Sequence, residues 1–287
     1  MTAPQPHKIS ADLAADSKTP LVSRTPDQQP TIVRVGKVEF GSKKVVLIGG
    51  PCAVESAVQM SVIADAVAKA GGSMLRGGAW KPRTSPYDFQ GLGGEGLDIL
   101  QAARDLSGLP FVTEVMDPRE VEQVAQSADM LQIGSRNVQN FPLLREAGAS
   151  GVPVLLKRGM MTTIDEWLSA AEHLLAAGAK DVVFCERGIR TFEPSMRNTL
   201  DVGAIAVLKE RTHLPVIVDP SHAAGDRKYV AALARAAVAA GADGLMIETH
   251  QNPDAALSDA AQTLTLSAFT DLANSCRQIA RAIGRDL

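Results

Sequence analysis

From Val45 onward the chain repeats one pattern eight times: a short, almost uninterrupted apolar run ending in Gly, Arg, Glu or His, followed by an amphipathic helical stretch. The runs begin near residues 45, 73, 110, 130, 153, 181, 215 and 244. Strands that are apolar throughout are buried on both faces, the mark of a parallel sheet covered by helices. Between them lie segments such as I-D-E-W-L-S-A-A-E-H-L-L-A-A-G from Ile164, whose apolar residues recur at helical spacing before a terminal Gly. Each unit averages about 30 residues, the size of one strand-plus-helix crossover. Eight units predict a (β/α)8 TIM barrel. An open doubly wound sheet is the alternative, but no G-x-G-x-x-G opens a helix after the first strand.

Residues 31–40 alternate apolar and polar side chains around Gly36 and predict a short N-terminal β-hairpin that plugs one end of the core. Residues 1–30, rich in Pro, Ser, Thr, Asp and Gln, are expected to form a flexible tail, leaving 31–287 as a single catalytic barrel.

Charge and cysteine content narrow the function classes. With 29 Lys and Arg against 32 Asp and Glu, a net charge of −3 and no basic block, the chain lacks the footprint of a nucleic-acid binder. No apolar run is long enough for a membrane span and no secretory signal is evident, so neither nucleic acid nor membrane is an expected partner. Three cysteines at wide, irregular spacing argue for a reducing compartment, the cytoplasm.

A barrel gathers the C-terminal ends of its strands into one mouth. Arg76, Lys81, Arg83, Arg136, Lys157, Arg158 and Arg187 all fall at such ends or in the loops after them. Mutually repelling cations are tolerable there only with anionic partners, so the site is expected to bind more than one phosphate or carboxylate group. Cys52 follows the first strand, His222 the seventh, Glu248 ends the eighth and Asp259 lies in the loop beyond it. Closure of the barrel would bring this thiolate, imidazole and two carboxylates around one divalent ion, a mixed set suited to Mn, Fe, Co or Zn. The loop K-P-R-T-S-P-Y-D-F-Q-G-L-G from Lys81 offers Arg83, Thr84 and Ser85 as phosphate donors on a backbone stiffened by proline.

These residues closely resemble the 3-deoxy-D-arabino-heptulosonate-7-phosphate (DAHP) synthases, specifically the microbial type I beta class related to KDO-8-phosphate synthases. The resemblance rests on G-P-C-A-V-E-S at 50, L-R-G-G-A-W-K-P-R-T-S-P-Y-D-F-Q-G-L-G at 75, I-G-S-R-N-V-Q-N-F at 133 and L-K-R-G-M at 156. It continues through E-R-G-I-R-T-F-E at 186, R-N-T-L-D at 197, D-P-S-H-A-A-G at 219 and I-E-T-H-Q-N-P-D at 247, in order over essentially the whole barrel.

The resemblance implies condensation of phosphoenolpyruvate with erythrose 4-phosphate to DAHP and phosphate, the first step of the shikimate pathway to aromatic amino acids. It implies Cys52, His222, Glu248 and Asp259 as metal ligands, and Arg76, Lys81, Glu114, Ser135, Arg136, Lys157 and Arg187 as the phosphoenolpyruvate site. Arg83, Thr84 and Ser85 take the phosphate of erythrose 4-phosphate, the ion acts as Lewis acid on the aldehyde, and Lys81 and Glu114 handle protons. The family suggests a homodimer or homotetramer, and a chorismate mutase is a candidate partner.

The family more often has Ala at Ser135, where the implied contact is through the backbone. About 44 residues precede the first barrel strand, fewer than an ACT domain needs, so no built-in feedback domain is expected. The alternatives are a KDO-8-phosphate synthase using arabinose 5-phosphate, whose K-A-N-R-S-S segment differs from K-P-R-T-S here, a Schiff-base aldolase on Lys157, and a non-catalytic phosphosugar-binding barrel.

Overall fold

The computed structural model describes residues 18–83 and 85–287. An antiparallel hairpin, β1 (Val33–Val35) and β2 (Val38–Phe40), precedes the eight expected strands. These are β3 (Val46–Gly50), β4 (Met74–Arg76), β5 (Phe111–Val115), β6 (Met130–Ile133), β7 (Val154–Lys157), β8 (Val182–Glu186), β9 (Val216–Val218) and β10 (Gly244–His250). They pair in parallel in chain order, and β10 closes the barrel by pairing with both β9 and β3, Glu248 lying opposite Gly50. A two-residue strand that the pattern did not predict, β11 (Leu264–Thr265), pairs with Thr249 and His250.

Around the barrel lie α1 (Ala57–Lys69), α2 (Gly94–Ser107), α3 (Val121–Ser127), α4 (Phe141–Ala149), α5 (Ile164–Ala176), α6 (Val202–Arg211), α7 (Pro220–Ala224), α8 (Arg227–Ala239) and α9 (Leu266–Ala282). Side-chain caps set several of their starts. Thr163 and Glu166 form a reciprocal capping box on α5, and the Asp219 carboxylate caps α7 by accepting the His222 N–H.

Successive strand residues point to opposite faces, so each apolar run serves two cores. Leu47, Leu75, Phe111, Leu131, Leu156 and Phe184 pack outward with the helices. Ile48, Met74, Val112, Met130, Leu155, Val183, Ile217 and Met246 form the interior, and the hairpin's Val33, Val35, Val38 and Phe40 join them as the expected plug.

The expectation of a flexible tail over residues 1–30 needs correction for its second half. Val22 is fully buried, the N–H groups of Leu21 and Val22 both donate to the Glu172 carboxylate, and Ser23 bridges to Thr212. One apolar anchor with backbone groups captured on both sides fixes a segment whose average composition is polar. Residues 1–17 lie outside the described residues. Among the described residues no helix is long and apolar enough to cross a membrane.

Candidate functional site

The same inward face that carries the apolar interior turns polar two residues later on almost every strand. Met74 is followed inward by Arg76, Val112 by Glu114, Met130 by Gln132, Leu155 by Lys157, Ile217 by Asp219 and Met246 by Glu248. The mouth of the barrel is therefore the last inward-facing layer of the strands, held as rigidly as the core beneath it. It opens into a cavity of about 210 Å³, whose lining includes Arg76, Lys81, Arg83, Glu114, Ser135, Arg136, Lys157, Arg187, His222 and Asp259.

Strand closure brings the four proposed ligands together: one donor atom from each of Cys52, His222, Glu248 and Asp259 lies within 4.8 Å of the others. Cys52 Sγ is 2.8 Å from Asp259 Oδ2, and His222 Nε2 is 3.3 Å from Glu248 Oε1. His222 Nδ1 donates to Asp219 Oδ2 at 2.7 Å, which fixes the ring and turns Nε2 toward the cluster. Asp259 has a φ of 52°, a left-handed conformation that side chains other than Gly adopt with strain, and it brings the carboxylate inward from its loop.

Electrostatics favour a cation at this cluster. Burial, reinforced by the Glu248 charge, pushes the Cys52 thiol up to about 12. A thiolate at neutral pH therefore needs more positive charge than Lys81 supplies from 2.8 Å. Burial works to raise the Asp259 and Glu248 carboxyls, but His222 with Lys81 and Arg197 on the first, and with Arg76 on the second, holds both below the usual carboxylate range. One thiol, one imidazole and two carboxylates gathered within 4.8 Å are a donor set that fits a divalent ion.

The cations surround an anion-binding basin. Arg76 and Arg187 are buried, 4% and 5% exposed; Arg76 Nη1 pairs with Glu248 and Arg187 Nη2 donates to the His222 carbonyl, but Arg76 Nε and Arg187 Nη1 have no acceptor among the described residues. Buried charged donors without partners are strongly unfavourable unless an anion completes them. Lys81 Nζ donates to the Cys52 carbonyl and thiol, Lys157 Nζ reaches Asp219 Oδ2 at 2.5 Å, and Arg136 donates to the Pro82 carbonyl from an exposed position. Glu114 is steadied by the Gln132 amide at 3.1 Å. Its Oε1 occupies space that only a glycine at 134 leaves open, because a Cβ there would sit 1.9 Å away.

Three expectations fare differently. Arg158, grouped with the mouth cations, points away from the cavity: its guanidinium pairs with Glu186 and Asp201 at 2.9 Å each. It follows Lys157 by one residue and so faces the helical layer. Arg83 reaches the cavity and pairs with Asp88 at 3.3 Å. Ser85 is not among the lining residues and its hydroxyl accepts the Tyr87 N–H, while Thr84 lies outside the described residues.

Three site residues escaped the sequence reading. Gln132, on β6, and Asp219, one residue past β9, occupy inward positions that period-two counting identifies only once the inward face is known. Arg197 lines the cavity and donates to Asp259 Oδ1 at 3.0 Å, a contact made by tertiary folding that no local pattern signals.

The family model of the DAHP synthetase I family matches residues 23–284. The phospho-2-dehydro-3-deoxyheptonate aldolase of Thermotoga maritima is 46% identical over 264 residues, which cover 92% of this chain and 78% of that one. The 2-dehydro-3-deoxyphosphooctonate aldolase of Syntrophotalea carbinolica is 34% identical over 256 residues, 83% of this chain and 91% of that one. Among solved structures, the Thermotoga maritima DAHP synthase superposes with a TM-score of 0.90 at 45% identity, over 93% of this chain and 78% of that one. A truncated form of the Thermotoga maritima 3-deoxy-D-arabino-heptulosonate 7-phosphate synthase gives 0.88 at 43% identity, over 93% and 98%.

Proposed function

The chain belongs to the DAHP synthetase I family, and we infer from this that it condenses phosphoenolpyruvate with erythrose 4-phosphate and water to give DAHP and phosphate. It is a transferase of the shikimate route to aromatic amino acids. The observation that carries the reading is a four-ligand cluster, two of whose members, His222 and Asp259, line the same cavity as buried guanidinium groups with unmatched donors. The two phosphorylated substrates, one also a carboxylate, supply the anions that those donors lack. The 2-dehydro-3-deoxyphosphooctonate aldolases are more distant, at 34% against 46% identity.

In this reading Cys52, His222, Glu248 and Asp259 hold one divalent ion of the Mn, Fe, Co or Zn group. When bound, the ion supplies Lewis acidity toward the aldehyde oxygen of erythrose 4-phosphate. Arg76, Arg136, Lys157 and Arg187, with the Ser135 backbone, orient the phosphate and carboxylate of phosphoenolpyruvate so that its C3 faces the aldehyde carbon. Arg83, with Thr84 and Ser85 beside it in the chain, takes the far phosphate. Attack by C3 forms the new C–C bond, water adds at C2, and the hemiketal phosphate loses inorganic phosphate by C–O cleavage. Lys81 and Glu114, which line the same cavity, would move protons to and from the substrate oxygens. Lys157 is engaged with Asp219 as an ion pair, which disfavours a Schiff-base role.

The same reading extends to a cytoplasmic setting, which the three free, buried cysteines suit. Assembly as a homodimer or homotetramer and docking of a chorismate mutase rest on family likeness alone. Light scattering of the protein, with and without a chorismate mutase, checks both.

The deciding assay is phosphate release from phosphoenolpyruvate. Release is expected with erythrose 4-phosphate, to be abolished by a chelator and restored by a divalent ion. Release with arabinose 5-phosphate instead, or release that ignores chelation, would overturn the assignment.

A further inference from the structure

Asp219 is fully buried, and among the described residues the hydrogen bonds to its carboxylate come from two residues tied to the site, His222 and Lys157. Oδ1 accepts the His222 backbone N–H at 2.9 Å. Oδ2 is shared: it accepts the His222 ring Nδ1–H at 2.7 Å and the Lys157 ammonium at 2.5 Å. His222 faces the ligand cluster through its other ring nitrogen, and Lys157 lines the anion basin. One oxygen thus stands between the ion site and the phosphoenolpyruvate site.

We propose that Asp219 is a positioning residue that couples ion binding to phosphoenolpyruvate binding through this shared oxygen. The inference rests on the ligand and anion sites proposed above. An anion on Lys157 draws the ammonium's charge away from Oδ2, which then accepts more strongly from His222 and makes Nε2 a better donor. Conversely, an ion on Nε2 strengthens the Nδ1–H toward Oδ2 and releases Lys157 for the anion. Both changes have the same sign, so each ligand tightens the other by one factor, as linkage requires.

The test titrates Co(II) into the full-length protein, read by its thiolate absorption, with and without phosphoenolpyruvate and with no aldehyde present, so that nothing turns over. In the parent protein phosphoenolpyruvate tightens Co(II) by about 5–150-fold. Asp219→Asn weakens Co(II) alone by about 10–100-fold and shrinks the tightening several-fold. Lys157→Met, measured without phosphoenolpyruvate, tightens Co(II) because Oδ2 then serves His222 alone, and this gain disappears when the substitution is made on Asp219→Asn. The Lys157→Met arm does not depend on Asp219→Asn folding. A coupling factor that Asp219→Asn leaves unchanged overturns the proposal. So does a Lys157→Met effect that is absent, or equal in both backgrounds. If Cys52→Ala shows the parent's Co(II) absorption, the ion-site reading itself has failed. If Co(II) depends on Cys52 but the coupling ignores Asp219, only this inference falls.

Discussion

The floor and the mouth of the barrel are built from the same strands, two residues apart, and have opposite chemistry. At the floor, Ile48, Met74, Val112, Leu155 and Met246 pack against the hairpin's Val33, Val35 and Phe40, all essentially dry. At the mouth the next inward positions are Arg76, Glu114, Lys157, Asp219 and Glu248, equally buried except for Glu114 but charged. Burying apolar groups stabilises the fold, whereas burying charges does so only when their partners are in place. The floor should therefore set stability and the mouth binding, and substitutions in the two layers should separate these properties.

The largest expected effect is at the floor. Phe40→Ala removes a fully buried ring from the plug and should lower unfolding free energy by about 3–5 kcal/mol in denaturant titrations. The KM for phosphoenolpyruvate of the folded fraction should stay unchanged. A raised KM would show that the plug also shapes the mouth.

Arg136→Ala should do the reverse. It removes an exposed mouth cation, so stability should stay within about 0.5 kcal/mol. The KM for phosphoenolpyruvate should rise about 10–100-fold, the worth of a hydrogen bond to a charged group. Steady-state kinetics and a melt on one preparation check both halves.

The mouth should also respond to pH where the floor does not. Because the Cys52 thiol is pushed up to about 12, it is protonated in neutral solution and must give up that proton to bind an ion. Ion affinity should rise with pH, about tenfold per unit between about pH 7 and 9, with at least one proton released per ion. Calorimetry in buffers of different ionisation enthalpy reads the proton count. No release would mean that the sulfur is not a ligand.

The smallest effect is expected at the strap below the barrel. Glu172→Gln weakens the acceptor that holds the Leu21 and Val22 N–H groups and should cost about 1 kcal/mol or less. Faster proteolysis near residues 18–30 with unchanged kinetics would confirm that this segment belongs to the floor.

The division between floor and mouth also explains which parts could be read from sequence. Eight apolar runs announce eight buried strands, and residues at strand ends converge once the barrel closes, so Cys52, His222, Glu248 and Asp259 were legible together. Inside a run that is apolar throughout, alternation leaves no trace, so the direction of Arg158 and the roles of Gln132 and Asp219 were hidden until the inward face was known. Arg197 meets Asp259 across 62 positions of chain. Residues 18–30 hold on through Val22 and a distant Glu172, which an average over composition cannot register.

The central claim is that one ion held by Cys52, His222, Glu248 and Asp259 faces a cation-lined basin and is required for condensation. Cys52→Ala, assayed together for metal content and for phosphate release with both substrates, tests it most directly. The account predicts a folded protein that retains little metal and releases phosphate more than about 100-fold more slowly, beyond the usual loss from a ligand's supporting residue. A variant that keeps its full metal content and the parent's rate would contradict it.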